Sequence, residues 1–302
     1  MTQLYEEMLF HPKWYHYPVI ILLLPLSLLY GSWMFFRRAL SQKKDFGLPI
    51  VSVGNLIVGG SGKTPFTIVL ASRYENVAVI SRGYGRQSRG LVEVSRNGKI
   101  LASVEESGDE AMLMATSLPK ASVIVSEDRH KAIALAKEQG AALIILDDGF
   151  NRVEIKKFEI LLEPENITNP FPFPSGPFRE FFWTKKKADL LLKEGKDFKR
   201  EVSYENLTDK MLLATAISDP VRLDDYLPSG VIAKVYLEDH AYFDENMLAE
   251  KMYLYGAKSL LVTQKDLVKM KYFKLLISQI KLKLNIKEEI FSVIDQYIDH
   301  FN

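Results

Sequence analysis

The sequence predicts an α/β fold. It calls for a doubly wound, mainly parallel sheet, a second, smaller α/β domain, and a hydrophobic, membrane-associated helix at the N-terminus. Three observations predict this. Short apolar strand-like runs alternate with helical runs from residue 49 onward. The turn after the first strand is a glycine cluster closed by Lys-Thr. Ahead of it, residues 17–36 are mostly apolar and contain no Lys, Arg, Asp or Glu.

That apolar segment comes first. As a helix it would be about 30 Å long, close to a bilayer core. Arg37, Arg38, Lys43 and Lys44 follow it, while Glu6 and Glu7 precede it. The asymmetry places the body of the chain on the cytoplasmic face of a membrane. Trp14, Tyr15, Tyr17, Trp33, Phe35 and Phe36 sit near its ends, where interfacial aromatics belong. Pro18, Pro25, Ser27, Gly31 and Ser32 interrupt it, so a full span and a helix lying in the interface both stay open. A cleaved signal peptide fits poorly, because a basic leading region is lacking.

Residues 49–53 form the first strand, and 65–71 begin a helix. Between them lies Gly59-Gly60-Ser61-Gly62-Lys63-Thr64. A strand, a glycine turn and a helix opening with Gly-Lys-Thr make a phosphate-binding loop of the P-loop NTPase kind. Glycines let backbone N–H groups crowd around phosphate oxygens, and the helix N-terminus adds partial positive charge. Lys63 would reach the β and γ phosphates of ATP, and Thr64 would place its hydroxyl on Mg²⁺. The broad consensus has a glycine where Ile57 stands. An ordinary glycine turn would leave Lys63 unexplained, since a cation there opposes the helix dipole.

Downstream, Val77–Ser81 is a second strand, and 91–95 and 100–104 flank the hairpin signal Asn97-Gly98. Asp109–Ser117 is helical, 122–126 a strand, 128–139 a helix, and 142–147 a strand ending in Asp147 and Asp148. In phosphate-loop proteins a carboxylate at such a strand end holds or orients Mg²⁺. Ligands bind these sheets at the carboxyl ends of the strands, which puts Gly54, Ser81, Ser126 and Asp147 on one rim. Pro164, Pro170, Pro172, Pro174 and Pro177 make 164–177 a loop. A second α/β pattern starts near Asp189, with strands at 190–192, 212–217, 232–237 and 259–262 and helices at 246–255 and 287–300. The expected divisions are 1–45 (membrane-associated), 46–188 (phosphate-loop core) and 189–302 (smaller domain).

Composition narrows the chemistry. The chain has 302 residues, 47% apolar and 25% charged, enough for two modest domains. A net charge of +1 gives no field for nucleic acid. Without cysteine there is no disulfide, thiol catalysis or thiolate metal site. With only His11, His16, His130, His240 and His300, a multi-histidine metal centre is not expected. Nothing in the pattern points to an obligate protein partner.

Several motifs together carry a family likeness. Val53-Gly54-Asn55 leads into the glycine loop, and Ser81-Arg82-Gly83-Tyr84-Gly85-Arg86 follows the second strand. Then come Gly108-Asp109-Glu110, Ser126-Glu127-Asp128-Arg129, Leu146-Asp147-Asp148-Gly149-Phe150, Pro174-Ser175-Gly176-Pro177-Phe178-Arg179-Glu180 and Asp239-His240. In this order, from about residue 49 to 270, the chain resembles the tetraacyldisaccharide 4′-kinase family of lipid A synthesis. The resemblance implies transfer of the ATP γ-phosphate to the 4′-hydroxyl of a lipid A disaccharide 1-phosphate embedded in the bacterial inner membrane. It also implies Asp109 as base, paired with His240. From the residues alone, Asp109 reads equally well as a helix N-cap. Lys63 supplies positive field, Asp147 or Asp148 serves Mg²⁺, and Arg129 is a nucleotide contact. Arg82, Arg86, Arg179 and Glu180 are expected to contact the acceptor or its phosphate.

Three departures stand out. The family's Gln-His after Asp-Asp-Gly-Phe is Asn151-Arg152 here. Its glycine-rich segment is reduced to Ala216-Ile217-Ser218-Asp219-Pro220. Its Pro before Lys-Asp is Gln264. Two rival readings compete with the kinase. One is a membrane-associated switch ATPase or GTPase acting through protein partners. Many of those carry a lysine where Val58 stands, and a guanine reader would want the lysine of Thr263-Gln264-Lys265-Asp266 one place earlier. The other is a non-catalytic membrane adaptor, which the intact Lys63, Thr64, Asp109 and His240 oppose.

Overall fold

The structure, a computed structural model, describes residues 3–59, 62–163 and 167–301. Gly60, Ser61 and Pro164, which the motifs above include, lie outside the described residues. In chain order the first helices and strand are α1 (Gln3–Phe10), α2 (Tyr17–Leu40), β1 (Ile50–Gly54) and α3 (Lys63–Ser72). Next come β2 (Val77–Ser81), β3 (Val92–Arg96), β4 (Lys99–Ile100), α4 (Val104–Ser107), α5 (Asp109–Ser117), β5 (Ser122–Val125), α6 (Arg129–Glu138), β6 (Leu143–Asp147) and β7 (Phe158–Glu163). The remainder holds β8 (Leu190–Lys193), β9 (Phe198–Glu205), β10 (Met211–Thr215), β11 (Val231–Tyr236), α7 (Glu245–Tyr255), β12 (Ser259–Thr263), α8 (Gln264–Leu267), β13 (Ile277–Ile286) and α9 (Glu288–Asp299). The fold is α/β, with a large, mainly parallel sheet and a second sheet, as the alternation predicts. Two compact units emerge, each assembled from separated stretches of chain.

The first unit takes in Met1–Lys63, Leu143–Lys199 and Ile286–Asn302. Its strands run β6-β1-β7-β8, all parallel. β1 and β6 are buried along their whole length, which is why they appear as unbroken apolar runs. The register sets Val53 beside Asp147, so both strands end at one edge. Tyr297 of α9 donates its hydroxyl to the Ile50 carbonyl at 3.1 Å. β7 escapes the sequence pattern because Lys157 and Glu159 look like surface residues. Both are buried and paired at 2.8 Å, and Glu159 also accepts from the Ser52 hydroxyl at 2.8 Å. Burial pushes the Lys157 ammonium down and the Glu159 carboxyl up.

α2 packs on this unit by a narrow stripe of Ile20, Ser27 and Gly31. The Ser27 hydroxyl accepts from the Ser175 N–H at 2.8 Å, and the Ser175 hydroxyl donates to the Ile20 carbonyl at 3.0 Å. At Gly31 a Cβ would lie 2.8 Å from the Phe181 ring, so only glycine lets the loop close on the helix. Arg38 forks onto both oxygens of Glu180 at 2.8 Å and donates to the Phe150 carbonyl at 3.1 Å. The small residues that interrupt the apolar run are therefore its docking face. Leu22, Leu26, Leu29, Trp33 and Leu40 stay exposed. Among the described residues, Trp14–Leu40 is one helix long and apolar enough to cross a membrane, by length and composition.

In the second unit, Thr64–Ala142 and Arg200–Asn285, strands of the large sheet run β4-β3-β5-β2. β2 and β5 are parallel, and β3 is antiparallel to β5. The Asn97-Gly98 hairpin forms, but its second arm is short. β4 stops at Ile100, because Ser103 and Glu106 build a capping box that starts α4 instead. The Glu106 N–H donates to the Ser103 hydroxyl at 3.3 Å, and the Ser103 N–H donates to the Glu106 carboxylate at 2.9 Å. The second sheet runs β11-β10-β12-β13-β9. Its core, Leu212, Ala214, Leu260 and Val262, packs with Leu248 and Met252 of α7. β9 and β13 hide in the sequence because charged and polar residues alternate with their inward ones.

Arg38→Ala leaves the nearly inaccessible Glu180 carboxylate without its partner. The expected loss is about 3 kcal/mol, with only partial recovery in Arg38→Lys, which cannot fork. Thermal unfolding of the detergent-solubilised variants checks this, and an unchanged midpoint in Arg38→Ala would contradict it.

Candidate active site

The first cluster is built at the ends of β1 and β6. Gly59 and Gly62 adopt φ of +92° and +75°, a region open to glycine, and α3 begins at Lys63. The loop is held from outside. The Val58 N–H donates to the Pro177 carbonyl at 2.9 Å, and Val58 packs against Met8, Leu9 and Ile20. The proline loop is thus the buttress of the phosphate loop.

Lys63 Nζ donates to Asn55 Oδ1 at 3.0 Å and lies 3.6 Å from Asp148. Arg179 donates to both Asp148 oxygens, at 3.0 and 3.2 Å. Asp148 itself has φ of +53°. Burial alone would push its carboxyl up, but the Lys63 and Arg179 charges outweigh this and hold it below the usual range. Asp147 is buried at the end of β6, and Thr64 follows Lys63, partly buried, in α3. Among the described residues no group of three His, Cys, Asp or Glu side chains forms a metal cage. Mg²⁺ does not require one, since it is held through one or two carboxylates together with phosphate oxygens and water. Asp147 at the end of β6 and Asp148 just after it are hard oxygen donors of the kind that ion takes.

The second cluster lies wholly in the second unit. His240 Nδ1 sits 2.8 and 3.0 Å from the two oxygens of Asp109. Lys269 Nζ is 3.4 Å and Lys265 Nζ 3.8 Å from the same carboxylate. His240 adopts φ of +64°, and its N–H is anchored on the Ala216 carbonyl at 3.1 Å. Gly85 packs under the imidazole, where a Cβ would come within 3.0 Å of the ring. Asp109 is not the N-cap of α5. Gly108 holds that position, and Asp109 is the first helical residue, accepting the Glu110 N–H at 2.8 Å.

Burial works against the charged form of Asp109, but the His240 hydrogen bond and the Lys265, His240 and Lys269 charges hold its carboxyl below the usual range. The Asp109 hydrogen bond raises the His240 pKa, against burial and the nearby Lys265 charge. The arrangement is a desolvated carboxylate kept ionised by a histidine and two lysines, one able to accept a proton.

The remaining expected residues divide. Arg82 is exposed, its guanidinium 5.3 Å from the Tyr84 ring centre. Arg86 is committed to Glu127 and to the Gly90 carbonyl, though its buried Nη1 has no partner among the described residues. Arg129 is buried and donates to the Ser126 carbonyl, fixing the turn after β5. Glu180, expected at the acceptor, is buried with both oxygens taken by Arg38, so here it anchors α2. Sequence reasoning overlooks Asn55, Lys265 and Lys269. Asn55 was visible in Gly54-Asn55. It is fully buried, and its Nδ2 has no partner among the described residues. Lys265 reads from the sequence only as part of a guanine-like motif, and Lys269 has no local signal at all.

Comparison with known proteins identifies the family. Residues 19–217 match the family described as LpxK, tetraacyldisaccharide-1-P 4'-kinase. The tetraacyldisaccharide 4'-kinase of Aliarcobacter butzleri is 48% identical, covering 98% of this chain and 97% of its own. That of Helicobacter acinonychis is 47% identical, over 97% and 94% of the two chains. That of Campylobacter jejuni strain RM1221 is 38% identical, over 98% and 96%. A crystal structure described as the "apo" form of LpxK from Aquifex aeolicus in complex with ATP superposes with a TM-score of 0.79 at 29% identity, covering 93% of this chain and 99% of that one. With matches of this identity and length, the chain belongs to the tetraacyldisaccharide-1-P 4'-kinase family.

Proposed function

We propose that this chain transfers the γ-phosphate of ATP to the 4′-hydroxyl of a tetraacyldisaccharide 1-phosphate in lipid A synthesis. The observation that carries this reading is the Asp109 carboxylate, buried yet kept ionised by His240, Lys265 and Lys269. The reaction needs a phosphate grip and a base, and the two clusters supply one each. The acceptor oxygen forms a bond to the γ-phosphorus while the bond to the β–γ bridging oxygen breaks and ADP leaves. Asp109 takes the hydroxyl proton, and His240 holds the carboxylate in place. Lys63 and the loop N–H groups stabilise charge on the phosphoryl oxygens. Asp147, Asp148 and the Thr64 hydroxyl would hold Mg²⁺, which would supply further charge neutralisation. When phosphate arrives, Lys63 exchanges part of its contact with Asp148 for phosphate oxygens. Arg82 and Arg86, through its unpartnered Nη1, are assigned to anionic groups of the substrates.

The acceptor's acyl chains keep it in a bilayer. We place the enzyme on the cytoplasmic face of the inner membrane, with α2 lying in the interface. What supports this is docking along the helix from Ile20 to Arg38, with the other face apolar and exposed. A tethered enzyme meets an embedded substrate at high effective concentration.

With detergent-solubilised protein and γ-labelled ATP, label passes to a tetraacyl disaccharide 1-phosphate. Asp109→Ala lowers that rate about 10²- to 10⁴-fold, and Lys63→Ala abolishes it. ATP hydrolysis indifferent to the acceptor would discard the kinase reading.

A pH profile tests the role of His240. The active form requires ionised Asp109, so kcat/KM falls as pH drops through the Asp109 pKa. His240→Ala removes the strongest of the contacts that lower that pKa. The acid limb of the profile is therefore expected to move to higher pH. An acid limb that stays in place or moves lower would show that His240 does not hold Asp109 ionised.

A further inference from the structure

We propose that the turn Phe182–Lys187 is a second membrane contact, one that reads anionic lipid headgroups. It rests on the membrane reading above and adds the lipid chemistry that the surface selects. Phe182 and Trp183 are 43% and 46% exposed although both are large and aromatic. Trp183 is held rigidly, stacked on Phe181 with ring centres 4.4 Å apart and planes inclined by 10°. Phe181 in turn occupies the space that a side chain at Gly31 of α2 would fill. The turn is thus fastened to the helix whose other face is apolar and exposed. A single exposed aromatic needs no explanation, but two adjacent ones, on a turn packed against such a helix, call for one.

Charge decides what covers the patch. Lys185 is used by Glu163 at 2.6 Å, whereas Lys186 and Lys187 are exposed and make no ion pair among the described residues. Arg37, Lys43 and Lys44, at and beyond the end of the same helix, are exposed as well. A chain with a net charge of only +1 therefore gathers cations beside its exposed aromatics. Tryptophan at headgroup level with lysines alongside suits the surface of an anionic bilayer.

Tryptophan emission tests this, because the chain has only Trp14, Trp33 and Trp183. Full-length Trp14→Phe/Trp33→Phe protein reports on Trp183 alone, and Trp14→Phe/Trp183→Phe protein reports on Trp33. Each is diluted from detergent into vesicles of phosphatidylcholine or of an equimolar mixture with phosphatidylglycerol. Expected are a blue shift of Trp183 and its quenching by brominated acyl chains on the anionic vesicles. Lys186→Gln and Lys187→Gln should each weaken binding to the anionic vesicles about fivefold, with little effect on the neutral ones. A Trp33 response without a Trp183 response overturns the proposal and leaves the membrane reading standing. No response from either overturns both. Equal binding to the two vesicle types, unaffected by the lysine changes, also overturns the headgroup preference.

Discussion

A lysine at the first position of a helix has to be stabilised against the helix dipole, and much of the first unit is arranged around that demand. Lys63 stands where α3 presents its positive end. Asp148 supplies the negative charge at 3.6 Å and Asn55 an oxygen at 3.0 Å. Asp148 can do so because the chain turns abruptly after β6, at a φ of +53° that ordinary strand or helix would not give. The turn also brings Phe150 over Gly54, where an added Cβ would come within 2.5 Å of the Phe150 Cβ. The glycine in Val53-Gly54-Asn55 is thus required by the carboxylates of the next strand. Parallel pairing of β1 with β6 fixes the two strand ends together, and Arg179 binds Asp148 from the proline loop.

Asp109 solves a different electrostatic problem. A carboxylate in a dry site tends to take up a proton, and a protonated acid cannot serve as a base. Here His240, Lys265 and Lys269 offset the loss of water. The lysines have their own fixed partners. Lys269 donates to the Ala241 carbonyl at 2.9 Å, and Lys265 lies 3.3 Å from Asp239. The charges around Asp109 are therefore positioned by the segment 239–241 and by α8 together.

How much of this was legible follows from whether each feature is local in the chain. β1, β2, β5 and β6 announced themselves, because strands buried on both faces are unbroken apolar runs. The glycine loop did too, since its glycines and Lys63 are contiguous. β7 did not, because Lys157 and Glu159 satisfy each other in the interior and periodicity cannot distinguish a buried ion pair from a surface one. The β4 arm was overestimated because an apolar stretch conceals the Ser103–Glu106 capping box. Asp109 and His240 were recognisable as motif members, and the resemblance implied their pairing, whereas Lys269 was invisible. Its contact with Asp109 joins residues 160 positions apart. Arg38 and Glu180 read from the sequence as a membrane-flanking cation and a substrate contact, and their pairing, across 142 positions, has no local signal.

The same reasoning explains the N-terminal helix. A straight membrane span is surrounded by lipid and has no use for a hydroxyl that accepts a loop N–H or for a glycine matched to a phenylalanine ring. α2 has both, at Ser27 and Gly31, on one side only. Pulling the helix away from the rest of the unit would break those contacts, strip Arg38 from a buried carboxylate and expose the proline loop that supports Val58. Keeping them leaves Leu22, Leu26, Leu29 and Trp33 exposed along the helix. The phosphate loop and the apolar helix are consequently tied through one set of loop residues, Ser175, Pro177, Phe178 and Phe181. Docking of the apolar helix and support of the phosphate loop are built on the same packing.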